Sequence, residues 1–549
     1  MVEVLVVGKG GRENSIGFAL QKDPRIDKVY IIPGNAGTYL IPKCVPMMEF
    51  PRKKVKLTSE QGIKYNNKTL EKVELIDEIL SFAHEKSIKQ VWVGPEDCLS
   101  LGIVNKGIEM GVNCIVGALK QCMKLEGSKC WQKDLMKKAN VPIPTYRNFY
   151  YPNDFKAALD FIDEMYNDKK NVVVKYDGYA EGKGSIVCSS RDQARWAIRA
   201  IMNERRIGEC MLDPNNGNIE IDERLEVLGE ESFFVLKNEK TMASFGTACE
   251  DKKAYDENSP DLIFFRKFVN TYYKSLQKLG PTSKQFENVI PLTINQNTGG
   301  MVGVAQSPWM NEESVEDVME TTVKPTFRMY KETTGSEWKG IAYFGLLLVK
   351  EDGKVVRKVS EFNGRDGDTE TELRMPLLET SLFDIGNAYL EDKLDQIEIK
   401  WKNAYTFGLT LVSGRIPRTY QADYEDLEIV AEKGIGFVKD QNLGYPWPHL
   451  TNQPITGIDK VTGVQIFGSG ISLRKQNVEQ ALKNDELDFS TSGGRTMVLV
   501  GEGKTIEEAE RSVNEEQKKI FFKNKRYRKT HIDWGRKLDQ NGVKKNGKA

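Results

Sequence analysis

Between Val172 and Val187 the chain reads VVVKYDGYAEGKGSIV, two β-branched apolar runs around a segment with two lysines and three glycines. The flanks favour extended strands, while Gly178, Gly182 and Gly184 permit positive φ and close backbone approach. Lys175 and Lys183 supply charge suited to a polyphosphate. A Walker loop does not fit, because it needs Gly-Lys-Ser/Thr opening a helix, whereas Lys183 is followed by Gly184-Ser185-Ile186-Val187, which returns to a strand. The segment is therefore expected to be a flexible hairpin covering a nucleotide. A Gly-rich hairpin with solvated lysines would carry the same letters.

A chain of 549 residues exceeds one ordinary core and implies about three or four domains. With 79 basic and 79 acidic residues the formal net charge is zero, so no overall field gathers nucleic acid, and any anionic ligand must be held locally. The eight cysteines form no Cys-x-x-Cys pair, which argues against a zinc site and against a disulfide framework. His84, His449 and His531 are the only histidines and lack metal-ligand or triad spacing. No apolar run suits a secretory leader or a membrane span, so a cytoplasmic protein with no membrane partner is expected.

The first segment alternates as an α/β unit. It runs from strand Val4 to Val7 through a glycine turn to a helix from Arg12 to about Lys22, then to strand Val29 to Ile32, ending in PGNAGT. Another strand and turn follow at VWVGPE. Such alternation predicts a parallel sheet with ligands at the carboxyl ends of its strands. Gly8-Lys9-Gly10-Gly11-Arg12-Glu13 departs from the dinucleotide fingerprint at its third glycine position. It is read instead as a phosphate or anion site, with the Gly10 and Gly11 amides at a helix N-terminus and the Arg12 fork beside them; a tight ligand-free turn is the alternative. A helix is predicted from Leu125 to Tyr146 and another from Arg191 to Arg205, with a strand at Ile219 to Leu225. Ala254 to Glu287 has a helical pattern, and Ile294 to Met301 reads as a loop. Strands Ile341–Val349 and Val355–Phe362 form a hairpin around Glu351-Asp352-Gly353. The remainder, with strands near Phe407, Gly463 and Thr496, looks like a separate small α+β domain.

Glu361 and Asn363 alternate along a strand, so both side chains share a face and can offer oxygen ligands to one hard cation, magnesium or manganese alike. Arg365 follows as a fork for a phosphate or carboxylate oxygen, and Asp368 as an anchor for an amine. A strand end and a charged loop meeting solvent would look the same.

In order along the chain stand VLVVGKGGREN, PGNAGT, VGPE, LEGSK, VVVKYDGYAEGKG, LGEES, NTGGM, SEFNGRDGDTET and TSGGRTMVLVGEG. This ordered set resembles the phosphoribosylamine–glycine ligase family, the ATP-grasp enzymes that make glycinamide ribonucleotide in purine biosynthesis. The resemblance implies a parallel α/β domain over 1–124, an ATP-grasp domain over 125–415 with its lid at about 146–218, and a C-terminal domain over 416–549 closing the cleft. It implies Lys129, Lys175, Gly182, Lys183 and Gly184 at the ATP phosphates or adenine, an adenine-binding hinge including Glu220, Glu223 and Leu225, and Glu231 on the ribose side. Glu361 and Asn363 match the metal ligands. Gly10, Gly11, Arg12, Glu13, Asn35 and Gly37 match the side that receives the phosphoribosyl group. Asp251, Lys252, Thr298, Gly299, Gly300, Met301, Arg365, Gly367 and Asp368 match the wall around the reacting carboxylate and amine, with Arg365 and Lys183 catalytic. The implied ligands are ATP, Mg2+ or Mn2+, glycine and phosphoribosylamine.

The chain departs from the family pattern near the amine and carboxylate pockets. It has Asn14 for the usual histidine, Asp251-Lys252-Lys253-Ala254 for Asp-His-Lys-Arg, and Gly367-Asp368-Thr369-Glu370-Thr371-Glu372 for Gly-Asp-Pro-Glu-Thr-Gln. The stretches around 52–68 and 253–297 are also longer than is usual. Two alternatives therefore accompany the expectation, an ATP-grasp ligase for another acid and amine and a non-catalytic nucleotide-binding homologue.

Overall fold

The computed structural model describes residues 1–49, 67–179, 184–188, 190–207, 210–213, 215–253, 256, 259, 262–263, 297–413, 450–474, 487–523 and 525–528. Gly182 and Lys183, the long stretch around 52–66 and nearly all of the segment expected to be helical between Ala254 and Glu287 lie outside them.

The N-terminal unit begins with β1 (Val2–Gly8), α1 (Gly11–Gln21), β2 (Ile26–Pro33) and β3 (Cys44–Pro46). It continues through α2 (Asn67–Glu85), β4 (Val91–Val93) and β5 (Ile115–Val116). The strands form an all-parallel sheet in the order β3-β2-β1-β4-β5. Val4 to Val7 are buried on both faces, as a central parallel strand requires. The carboxyl ends of β1 and β4 deliver Gly8-Lys9-Gly10 and Gly94-Pro95-Glu96 to one edge.

The expected helix from Leu125 to Tyr146 is shorter. Here α3 (Lys129–Lys138) starts where Ser128 accepts the Trp131 amide at 3.2 Å. Pro142 and Pro144 then hold the chain extended, and Tyr146 opens β6 (Tyr146–Phe149). The lid strands β7 (Val172–Tyr176) and β8 (Ser185–Val187) pair antiparallel, with Lys175 opposite Ser185, as the hairpin reading requires. Next, α4 (Arg191–Met202) ends short of Arg205 and buries Ala194, Ala197, Ile198 and Ile201 on its inner stripe. With β9 (Ile219–Glu223) these strands form a sheet in the order β6-β9-β7-β8.

The larger central sheet starts with β10 (Gly229–Lys237), β11 (Met242–Lys253) and β12 (Asn297–Ala305), followed by β13 (Gly340–Glu351) and β14 (Lys354–Asn363). Residues 297–301, expected in a loop, are therefore the start of β12. Gly300 permits this with φ of +117°, where a Cβ would meet the Glu250 carboxylate. After the short α5 (Glu370–Arg374) come β15 (Tyr405–Ser413), β16 (Val464–Gly468) and β17 (Arg495–Gly503), backed by α6 (Ile506–Glu516). The order is β14-β13-β10-β11-β12-β15-β17-β16, antiparallel throughout. These C-terminal strands extend the central sheet rather than forming a sheet of their own. Val302 opposite Leu409 continues the central sheet into them, and Val302, Val304, Leu409 and Leu499 share one core. No helix among the described residues is long and apolar enough to cross a membrane.

Candidate active site

The end of β14 is the centre of the site. A bulge opposite Gly345 and Leu346 shifts the register, so Glu361 lies against Gly345 and Asn363 against Tyr343, both on one face. Alternation along the neighbouring strands brings Ser232, Glu250, Lys252 and Tyr343 to that same face. Lys252 Nζ stands 3.4 Å from Glu361 Oε1 and 3.6 Å from Glu250 Oε2. Its charge, helped by Lys129, Lys175 and Arg365 against the cost of burial, pulls the Glu361 carboxyl down to about 2. Burial raises the Glu250 carboxyl to about 8, with Glu370 adding to the effect.

Alternation also separates residues that the motifs suggested together. Glu231 falls on the opposite face from Glu361. Its carboxylate takes Arg357 Nε at 2.7 Å and the Ser307 hydroxyl at 2.5 Å, while its neighbour Glu230 takes the cleft side. Asp251 likewise turns away from Lys252 and pairs with Arg528 at 2.7 Å. A strand shows consecutive residues to opposite faces, so each carboxylate turns to partners on the face away from the Glu361 carboxylate.

Arg365 turns toward the N-terminal unit. It lies 3.4 Å from Glu96 and 3.7 Å from Glu126, and donates to the Asn363 amide oxygen at 3.3 Å. Arg365 and Arg12 each donate to the Asp366 carbonyl at 3.1 Å, so two guanidinium groups from different units converge on one backbone oxygen. Glu126 accepts the Gly364 amide at 2.7 Å, and burial pushes its carboxyl up to about 7 despite the pull of Arg365.

The anion site expected at α1 is otherwise engaged. Glu13 Oε2 accepts the Gly10 amide at 2.6 Å, and the Ser469 hydroxyl accepts the Gly11 amide at 3.0 Å. Arg12 Nε is committed to Glu13 at 2.7 Å. A glutamate at the third helical position caps its own helix, so GGRE supplies the acceptor for the donors it exposes. Asn35 accepts the Gly37 amide at 2.7 Å and, like Asn14, donates to the Gly468 carbonyl at the end of β16. Gly37 packs so closely on Gly468 that a Cβ would lie 2.6 Å from its Cα.

Arg495 closes the cluster, donating to Asp368 at 2.8 Å and to the Gly299 carbonyl at 2.6 Å. Thr298 sits before it at the start of β12, Met301 is buried, and Gly367 donates its amide to Asp366 at 3.0 Å. Glu372, at the family's glutamine position, is fully buried against Gly11. Neither of its oxygens has a hydrogen-bond partner among the described residues, and burial beside Asp368 holds it well above the usual carboxylate range.

At the lid side, Lys175 reaches Asp222 at 2.6 Å, Glu220 at 3.2 Å and the Ser360 carbonyl at 2.9 Å. Glu223 pairs outward with Lys170 at 3.1 Å, Leu225 is half-buried, and Gly184 accepts the Tyr176 amide at 2.7 Å. The motifs had assigned no role to Arg495, Ser469, Glu250 or Lys133, and had placed Asp222 only within the hinge segment from Glu220 to Leu225. Some signal was present, since Lys133 follows Lys129 by one helical turn and Asp222 alternates with Glu220.

Glu361 and Asn363 offer adjacent oxygen donors, and a cation, the Lys252 ammonium, already stands against the carboxylate. The pair therefore fits a hard cation such as Mg2+ or Mn2+, which these two residues would help hold and which would supply positive charge. Among the described residues no group of three or more His, Cys, Asp or Glu side chains forms a protein-only cage.

A parallel α/β unit, a lid sheet and a large antiparallel sheet meeting around such donors define the ATP-grasp architecture. The biotin carboxylase domain of a 2-oxoglutarate carboxylase from Hydrogenobacter thermophilus, solved with MgADP, shares the fold with TM-score 0.57 at 12% identity, covering 95% of this chain and 91% of that one. The crystal structure of phosphoribosylamine–glycine ligase from Thermotoga maritima gives TM-score 0.60 at 21% identity, covering 96% and 99%. The models of the phosphoribosylglycinamide synthetase N domain, ATP-grasp (A) domain and C domain match residues 2–126, 127–371 and 441–531. A phosphoribosylamine–glycine ligase from Archaeoglobus fulgidus is 35% identical over 96% of this chain and 98% of its own length, and one from Vibrio parahaemolyticus is 28% identical over 95% of each. The chain belongs to the phosphoribosylamine–glycine ligase family.

Proposed function

We propose that this protein joins glycine to 5-phosphoribosylamine at the expense of ATP, releasing glycinamide ribonucleotide, ADP and phosphate. The observation that carries this reading is the strand end Glu361-Phe362-Asn363-Gly364-Arg365. It sets two oxygen donors and a guanidinium between the lid and the N-terminal unit, in a chain of this family.

A bound Mg2+ or Mn2+ would supply charge neutralisation at the nucleotide phosphates. Lys129, Lys175 and the lid residues Gly182, Lys183 and Gly184 would hold those phosphates, and backbone groups of Glu220 to Leu225 the adenine. Glycine's carboxylate takes the γ-phosphoryl group, the bond to ADP breaks, and glycyl phosphate forms. Arg365 and Lys252 oppose the negative charge spread over the transferring oxygens. The amine of phosphoribosylamine then attacks the glycyl carbonyl, phosphate leaves, and the amine gives up a proton. Acyl phosphates hydrolyse readily, so closure of the lid excludes water while Arg12, Asn35 and Asp368 orient the second substrate.

The test is ADP release by the purified protein with magnesium-ATP, glycine and freshly generated phosphoribosylamine, each omitted in turn. Release that needs all three, with glycinamide ribonucleotide identified by mass, is expected. Release only with another acid or amine would instead identify an ATP-grasp ligase of different specificity.

A further inference from the structure

Lys133 is fully buried on α3, one turn after Lys129, and belongs to no motif considered above. Its Nζ lies 3.2 Å from Asp222 Oδ2 and 3.9 Å from Glu220 Oε1, the carboxylates that also hold Lys175, and it donates to the Val359 carbonyl at 3.4 Å. Lys175 meets the same Asp222 oxygen and donates to the next carbonyl, that of Ser360. Two buried ammonium groups thus share two buried carboxylates, and both grip the bulge of β14 that presents Glu361.

With Lys133 neutral, Lys175 would be the sole counter-charge of two buried carboxylates. Turning it toward a phosphate would strand them, at the steep cost of an unpaired buried charge. With Lys133 present they keep a cation in either position of Lys175. We propose that Lys133 is a positioning residue whose charge frees Lys175 to serve the nucleotide. This rests on the reading above that the lid side binds ATP.

The test is calorimetric titration of the full chain with the magnesium complex of a non-hydrolysable ATP analogue. K133M is expected to bind at least about tenfold more weakly than the unsubstituted protein. K133M/D222N, which removes one negative charge together with the cation, is expected to recover to within about threefold, a rescue that a purely structural role of Lys133 would not produce. K133M binding as tightly as the unsubstituted protein, or a double variant no better than K133M, would overturn the proposal. Failure of the unsubstituted protein to bind the analogue would overturn the nucleotide reading itself, and the inference with it. D222N alone keeps the question decidable if K133M does not fold. It should bind the analogue more tightly, because Lys175 is then held less strongly, and weaker binding would contradict the proposal.

Discussion

Lys252 from β11 places its ammonium 3.4 Å from the Glu361 carboxylate at the end of β14, so the chain supplies its own cation to the carboxylate that the family pattern assigns to a metal. This ammonium stands within the Asp-Lys-Lys-Ala run that replaces the family's Asp-His-Lys-Arg. Both partners are partly open to water, so the pair is worth about 1 kcal/mol. K252M should therefore bind Mn2+ about fivefold more tightly in the absence of nucleotide, measured by the loss of free-ion paramagnetic resonance signal, while turnover falls. Weaker Mn2+ binding by K252M would mean that the ammonium organises the site rather than competing in it.

Glu361 itself is the residue on which turnover should depend most. E361A is expected to lower kcat by at least about a thousandfold, a loss on the scale of removing a group that stabilises transferring charge. Steady-state assay at saturating substrates checks this. A non-catalytic nucleotide binder would show no turnover to lose and nearly unchanged nucleotide affinity.

Arg495 is the tie between the C-terminal strands and the loop after β14. R495A removes the hydrogen-bonded cation of Asp368, leaving only the more distant Arg12 and Arg365, and removes the donor of the Gly299 carbonyl. It should cost about 3 kcal/mol in urea unfolding and raise the KM for phosphoribosylamine more than that for ATP. An equal rise in both would indicate general loosening of the fold.

Glu126 gives the pH dependence of stability a definite sign. Its carboxyl is raised in the folded protein from the ordinary 4.5 to about 7 by burial, beyond the opposing pull of Arg365. Between those values the folded state holds the proton more tightly than the unfolded chain. The stabilisation is fully present below about pH 4.5 and lost as pH rises through about 7, an effect of about 3 kcal/mol. E126Q should flatten this fall in a denaturation series from pH 5 to 8. An unchanged slope would place the charge sensitivity elsewhere.

Much of the chemistry was legible in the chain. The valine runs flanking the lid, the alternation of Glu361 with Asn363 and the strand-to-glycine turns of the N-terminal unit rest on local pattern, and local pattern survives folding. What was not legible depended on faces and distant partners. Glu231 and Asp251 stand beside residues of the cleft in sequence yet turn their carboxylates to Arg357, Ser307 and Arg528 on the other strand face, which alternation cannot phase without a known neighbour. The Gly10 and Gly11 amides looked open, yet Glu13 and the remote Ser469 satisfy them. Lys133 belongs to no motif, and its burial against Asp222 and Glu220 comes only with the lid sheet. The continuity of the C-terminal strands with the central sheet likewise rests on the pairing of Val302 with Leu409, more than a hundred residues apart.

In the proposed reaction ATP activates glycine's carboxylate before the amine attacks, and the oxygen that leaves records the order directly. With glycine carrying 18O in both carboxylate positions, turnover with ATP and phosphoribosylamine should place one 18O in each phosphate released, seen as an isotope-shifted 31P resonance, and keep the other in glycinamide ribonucleotide. Phosphate formed without 18O would mean that glycine's carboxylate is not the group phosphorylated and that glycyl phosphate is not the intermediate.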